Sequence, residues 1–531
     1  MLAAGSRFHR CTSLLARNRV ACFSSSNLLS SVYRNDRAEK TKVAEREDKW
    51  NYNRSSLFDP STAEDPSSFK LVTANDLERC TEPPRSVKML ARDFIEDSLY
   101  NPNYGYFSKQ ATIFDWDEQP LEFSAVRNSV EFDAIVTKRY AAYEAERQLW
   151  HTPTELFKPW YGEAIAQCLV SEYLLKYFPY EDFVIYEIGA GNGTLASNIL
   201  DYLSLHHPEV YDRTRYTVIE ISSNLVQKQK QKLRRKHPSV NVIHKSIFHW
   251  DVQEPAPCFF LAMEVVDNFA HDVVRYDFET LQPYQGYVTV DSHGDFDMMY
   301  TKADDPLITS FLGLREQLGH PMPVPRLFRT MPSLRRMYRT LPFAANMSEE
   351  EYVPTRLLSL LSTLRNHFPR HRLLLSDFSS LSDTIPGKNA PVVQTRVRST
   401  MVATETLLVH QGAFDIFFPT NFEQLRDMYE HIISQPLTHS ESILPNRSSP
   451  LARSVQSMAL GSDYFSSHSN PNRRSPLDGV SSASGLPVGE RMSSVFKHSE
   501  FLETYADLSR TSLRNGENPM LDFYKNVKFL F

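Results

Sequence analysis

Between Phe183 and Met263 the chain alternates short apolar runs with amphipathic stretches. Phe183–Ile188, Tyr216–Ile219, Val240–Ile243 and Phe259–Met263 are strand-sized apolar runs, and Thr194–Leu203 and Asn224–Lys236 between them keep a helical period. Strand, helix, strand, helix at this spacing predicts a parallel sheet covered on both faces, a doubly wound α/β fold. Upstream, Val87, Leu90, Ala91, Phe94, Ile95 and Leu99 predict a helix over 86–99, stopped by Asn101-Pro-Asn. A second helix is predicted from about Tyr161 to Tyr177, with Ile165, Leu169, Val170, Tyr173, Leu174 and Tyr177 on one face. Downstream, Leu357–Leu364 reads as a helix and Arg372–Ser376 as a strand. Leu407–His410 and Asp415–Phe418 flank Gln411-Gly-Ala and read as the strands of one hairpin. The stretch 273–350 mixes short strand and helix signals and reads as an insertion on the substrate side.

The ends of the chain and one internal segment have a different texture. Arg7, Arg10, Arg17, Arg19 and Arg34 all precede the first acidic residue, Asp36, with serines and small apolar residues between them. That is the composition of a mitochondrial transit peptide, which we assign to residues 1–35; 36–68 is a polar linker. From about Ser434 to Ser494, Ser, Pro, Asn and Gly dominate, and such a segment buries too little apolar surface to offset its ordering entropy. The expected organisation is a helical N-terminal flank over 69–180, the α/β domain over 181–433, a disordered insertion over 434–494, and a C-terminal segment over 495–531 that returns to the core.

Charge and cysteine content narrow the function classes. A net charge of −6 excludes a generic polyanion-coating protein. Apolar runs all fall short of the ~20 residues of a membrane helix, so no membrane span is expected. Five cysteines are scattered without a Cys-x-x-Cys pair, which fits a reducing compartment and supplies no metal framework. Cys258 opens an apolar strand and reads as a buried structural thiol. Six Lys or Arg residues lie between Lys228 and Lys236. No aromatic interleaving or groove-reading motif accompanies them, so they read as a solvated helix face rather than a nucleic-acid site.

The chemistry concentrates where strands end. Tyr186-Glu-Ile-Gly-Ala-Gly-Asn-Gly-Thr194 sits at a strand-to-helix junction, and its glycines permit unusual φ values and close approach of the backbone to a ligand. The dinucleotide fingerprint Gly-x-Gly-x-x-Gly fails here, because its third glycine is Thr194. Acid-x-Gly-x-Gly-x-Gly is instead the first motif of S-adenosyl-L-methionine-dependent methyltransferases. Glu187, Gly189, Ala190, Gly191, Asn192, Gly193 and Thr194 are the cofactor-loop candidates, with Glu187 near the charged methionine end. Glu220 ends the second strand, where a carboxylate can accept hydrogen bonds from ribose hydroxyls. His244-Lys-Ser246-Ile247 follows the third strand as an adenine-side wall, with Ser246 and Ile247 as its candidate contacts. Glu264 ends the fourth strand and Asp267 follows three residues later, where the acceptor must enter. Either could instead cap a helix beginning near Val265. His271 reads as structural.

Taken in order, the motifs resemble the MidA family of mitochondrial methyltransferases, complex I assembly factors that act as protein arginine methyltransferases. The resemblance covers most of 84–432 and returns at 501–531. Leu99–Phe107 and Thr152–Phe157 are similar to that family's N-terminal and active-site-flanking segments. Glu187–Thr194 is similar to its cofactor loop, and Ala262–Asp272 to its post-strand-four motif. Ser376-Asp-Phe378, Asp415–Phe422 and Asn515–Tyr524 are similar to its later segments. Two positions depart: Met263 stands where the family has Asn, and Ala270 where it has Pro. The resemblance implies a seven-stranded, Rossmann-like methyltransferase sheet with S-adenosyl-L-methionine as methyl donor. It also implies a protein substrate, a complex I subunit, in the mitochondrial matrix, with Glu264 and Asp267 aligning the acceptor guanidinium. Two other readings stay open: a non-catalytic, cofactor-binding assembly factor, and an RNA or small-molecule methyltransferase. The Asn/Asp-Pro-Pro-aromatic motif of base-amino methyltransferases is absent after the fourth strand.

Overall fold

A computed structural model describes residues 68–109, 112–113, 121–142, 149–150, 152–397, 400–434 and 493–531. The leader at 1–35, the linker to residue 67 and residues 435–492 of the Ser-rich segment lie outside the described residues.

Seven strands form the central sheet: β1 (Phe183–Ile188), β2 (Thr214–Glu220), β3 (Asn241–His244), β4 (Cys258–Met263), β5 (His371–Phe378), β6 (Val495–Lys497) and β7 (Val527–Leu530). Their spatial order is 6-7-5-4-1-2-3. β1 to β5 run parallel to one another, while β7 is antiparallel to both β5 and β6. The chain builds outward from β1 through β2 to β3, then returns to place β4 on the other side of β1. Beyond the carboxyl ends of β1 and β4 the crossovers diverge, which opens the crevice where doubly wound sheets bind ligands.

Every residue of β1 is buried, because helices cover both faces. Phe183 and Ile185 pack with α1 (Trp160–Lys176) and α2 (Thr194–His206). Val184, Tyr186 and Ile188 pack on the opposite face with α4 (Thr355–His367) and α5 (Phe422–Ser434). Between them in sequence, α3 (Ser223–Lys236) buries Val226, Gln229 and Leu233 and leaves most of its basic run in solvent. Cys258 is buried and its thiol is pushed up to about 12 by that burial, in keeping with a structural role.

Three expectations need correction. The stretch 86–99 is not one helix: Val87–Leu90 is a strand and the helix runs from Ala91 to Tyr100. The strand pairs antiparallel with Tyr287–Val290, a partner some two hundred residues away. Leu407–His410 is not a strand, although Leu407 and Val409 are buried; Asp415–Phe417 pairs with Val392–Val397 instead. Leu174, assigned to the packed face of α1, is exposed.

The stretch 273–350 carries much of a second sheet. Its strands Asp272–Tyr276, Pro283–Val290 and Phe296–Lys302 join Val87–Leu90, Lys70–Leu71 and Glu351–Val353. Gly412 shows how closely the N-terminal segment packs against the later chain. Its φ is +76°, and a Cβ there would overlap the backbone carbonyl of Tyr104. Neither backbone can yield cheaply, so Gly412→Ala should cost about 3 kcal/mol or more of stability. Chemical denaturation measures this; a midpoint shift equivalent to a surface substitution would refute the close packing.

Candidate active site

The loop after β1 turns through three left-handed glycines, Gly189, Gly191 and Gly193, at φ +64°, +55° and +73°. Gly193 is the N-cap of α2, so the helix's first amides open toward the loop. A Cβ on Gly189 would meet Val265 Cγ2 at 2.9 Å. A side chain at Gly189 would therefore displace Val265, which itself lines the cleft.

Glu220 and the loop are tied together by a residue that sequence reasoning missed. Gln229 of α3 donates to Gly191 O at 2.8 Å and to Glu220 Oε2 at 3.1 Å, while Glu220 Oε1 accepts from Ser222 N at 2.9 Å. A carboxylate has about four acceptor positions, so both oxygens retain capacity for hydroxyl donors. Burial raises Glu220 from its ordinary range, and the hydrogen bonds from Ser222 and Gln229 oppose that shift. Glu187 accepts from Tyr216 OH at 2.8 Å and is pushed up to about 7 by burial. Glu155, from the Thr-Pro-Thr-Glu segment, accepts from Thr194 Oγ1 at 2.6 Å and Asn192 Nδ2 at 3.3 Å, pinning the far end of the loop.

A cleft of about 850 Å³ joins these groups. Glu187, Gly189, Ala190, Gly191, Asn192, Thr194, Glu220, Ser246, Ile247, Glu264 and Asp267 all line it. Gly193 faces away, its Cβ position directed at Leu233 and Gln229. Met263 and Ala270, the two departures from the family pattern, also line the cleft.

On the acceptor side, Glu264 is held at φ +52° and donates its N–H to Ser376 O at 2.8 Å. Val266–Asn268 is a single 3-10 turn whose own N-cap residue, Val265, offers no side-chain cap, and neither Glu264 nor Asp267 serves as one. Asp377 of β5 does that work, accepting the N–H groups of Val266 at 3.0 Å and Asp267 at 3.1 Å. Asp415 accepts from Asn268 Nδ2 at 3.2 Å. Glu264 Oε1, Asp267 Oδ1 and Asp415 Oδ2 are buried and have no hydrogen-bond partner among the described residues.

Glu264 and Asp267 line the cleft, and Asp377 and Asp415 lie buried behind them. Burial first, then Asp377, raises Glu264 well above the ordinary carboxylate range. Burial and mutual repulsion hold the Asp267–Asp377 pair up, and burial raises Asp415. The arrangement is an acidic pocket short of a cation. Tyr100, stacked on Phe107 at 5.4 Å between centroids, donates to Asn268 O and walls the same cleft. His271 is structural: it stacks on Phe418 at 3.8 Å, and burial lowers its pKa to about 3. Asp377, Asp415 and Gln229 carried no sequence signal of their own. The first two sit in or next to stretches read as strands and similar to family segments, with nothing to mark them as site residues.

Among known proteins, a family model described as S-adenosyl-L-methionine-dependent methyltransferase matches residues 164–438. The protein arginine methyltransferase NDUFAF7 homolog, mitochondrial, of Schizosaccharomyces pombe is 26% identical over 343 residues, covering 58% of this chain and 67% of the relative. The Saccharomyces cerevisiae protein of the same name is 22% identical over 368 residues, 65% of this chain and 78% of the relative. A crystal structure from Burkholderia thailandensis, bound to S-adenosyl-homocysteine, aligns with a TM-score of 0.41 at 14% identity. It covers 68% of this chain and 74% of that one.

Proposed function

The chain belongs to the S-adenosyl-L-methionine-dependent methyltransferase family, and from that premise we propose that it methylates an arginine of a protein, a complex I subunit in the mitochondrial matrix. The observation that carries the acceptor assignment is the pair Glu264 and Asp267 on the cleft wall, each with a buried, unpartnered carboxyl oxygen, backed by Asp377 and Asp415. Uncompensated buried carboxyls are costly unless a cation meets them. A guanidinium is planar, offers five N–H donors and stays charged. The two yeast relatives carry the name protein arginine methyltransferase, which supports the same reading.

The glycine turn, the α2 N-terminus, Glu187 and Glu220 would hold the methyl donor. Ser246 and Ile247 would flank its adenine. Bound there, the donor supplies an electrophilic methyl group on a sulfonium. Glu264 and Asp267 orient the acceptor nitrogen, and catalysis rests on proximity and on preorganised negative charge. With a pKa above 12 the guanidinium is aligned by charge-assisted hydrogen bonds before it gives up a proton.

Incubating the purified protein with methyl-labelled donor and mitochondrial protein or RNA tests the reading. Label should appear on protein, at arginine. Label on RNA, or tight donor binding with nothing labelled, would replace it with the RNA or assembly-factor alternative; Met263 at the cleft keeps the latter in play. Glu220→Ala should weaken donor binding more than tenfold, since each charge-assisted hydrogen bond contributes ~1.5–3 kcal/mol. Calorimetry on the folded variant checks this, and an unchanged affinity removes the ribose role from Glu220.

A further inference from the structure

The helical part of the stretch 273–350 presents a surface that methyl transfer does not use. From Gln317 to Ser348 the chain has five arginines and no acidic residue, although its net charge is −6. Two short helices, Arg326–Thr330 and Pro332–Arg339, lie within it. Their inner side is formed by Phe328 and Tyr338, which pack with each other and with Phe278. Their outer side leaves Leu327, Met331, Met337 and Leu341 exposed, and Phe343 stands fully in solvent at φ +65°. A large aromatic in the left-handed region, with no packing to favour it, is a costly way to place a side chain. None of these residues lines the cleft.

The charges alternate with the apolar tips. Arg339 pairs with Glu279, and Arg335 donates to the carbonyls of Glu279 and Phe328. Arg326 and Arg336 are exposed and have no ion pair among the described residues. Separate exposed apolar side chains interspersed with Arg326 and Arg336 match the boundary between lipid headgroups and acyl chains, where arginine meets phosphate and Phe, Leu and Met enter the hydrocarbon. We propose that Arg326–Phe343 docks the protein onto an anionic phospholipid bilayer surface. No described helix is long and apolar enough to cross a membrane, so the contact is peripheral.

Flotation of the full chain with vesicles of phosphatidylcholine plus phosphatidylglycerol, against phosphatidylcholine alone, tests this. Binding should require the anionic lipid and weaken with salt. Phe343→Ser should lower partitioning about tenfold, and Arg336→Ser about fivefold. The arginines at 7–34 are common to wild type and variants, so the difference reports the patch. Both substitutions are at exposed positions, and an unchanged melting curve and donor affinity establish that the variants are folded. Equal partitioning of wild type and variants overturns the proposal, as does equal binding to both vesicle types. If partitioning is unchanged and the variants instead lose transfer to protein without lipid, the surface docks a protein.

Discussion

Glu264→Gln should leave S-adenosyl-L-methionine affinity within about twofold and lower methyl transfer to protein by on the order of a hundredfold or more, the size expected for one preorganised transition-state contact. The carboxyl sits at the carboxyl end of β4, on a backbone held at φ +52° and fixed by its N–H bond to Ser376 O. Its Oε1 has no partner among the described residues. Glutamine keeps the volume and the backbone but removes the charge, and its amide NH₂ would face a guanidinium that consists only of donors. A merely structural Glu264 would show itself in the melting curve; relief of like-charge repulsion from Asp377 predicts that the variant is no less stable. Asp267→Asn should follow in the same direction with a smaller loss, because Glu264 remains on the cleft wall to meet the cation. Transfer to arginine must be seen in the wild type first. An equally active Glu264→Gln would falsify the acceptor assignment while leaving the methyltransferase itself intact.

Where the determinants are local in sequence, the site was readable before the fold. Three alternating glycines between an apolar run and a helical period specify a left-handed turn, and Glu220 follows one βα unit later. β1 was legible to the residue, because a strand buried on both faces must be apolar throughout. The same logic explains the failures. Val87–Leu90 carries apolar residues that fit a helical period as well as a strand, and only its partner at Tyr287–Val290 decides between them. Leu407 and Val409 alternate like a strand yet are buried by packing alone, since Asp415–Phe417 pairs with Val392–Val397 instead. Phe296–Lys302 is half-exposed along its length and pairs through one edge, so its pattern is weak.

The acceptor pocket was half legible for a related reason. Glu264 and Asp267 stand at a strand end, a position with known meaning in doubly wound folds. Asp377 and Asp415 are single acids in apolar surroundings, and each reaches the 3-10 turn behind the cleft only because β5 lies beside β4 and Asp415–Phe417 closes against that turn. Asp97 is a similar case. It accepts from Tyr104 OH, Asn101 Nδ2 and Gln411 Nε2, and burial pushes it up to about 6. It thereby fastens the Asn101–Tyr104 turn to the Gln411-Gly412 loop, a link across more than three hundred residues that no local pattern encodes.

The pocket's proton content sets the largest expected response to pH. Glu264, the Asp267–Asp377 pair and Asp415 are all held above the ordinary carboxylate range by burial and by one another. The ligand-free pocket therefore holds its protons to higher pH than free carboxyls do, and a guanidinium must expel any that remain in order to pair with charged carboxylates. Acceptor binding and proton release are linked, and kcat/KM for an arginine peptide should rise with pH, by about tenfold per unit for each proton released. The stability of the ligand-free protein runs the other way. Its raised carboxyls bind more protons than the unfolded chain does, so νU − νN is negative. Their contribution is fully present below about pH 4, the ordinary carboxylate value. It is lost as pH rises through the folded values, which for Glu187 lie at about 7. Asp415→Asn should flatten that decline, because the amide has no proton to give up, and it should also reduce the pH dependence of kcat/KM. Denaturation midpoints and initial rates across pH 5–8, wild type against variant, measure both slopes. A wild-type kcat/KM that stays flat over this range would mean that the carboxyls are already ionised, or that no cation enters among them, and the guanidinium pocket would have to be abandoned.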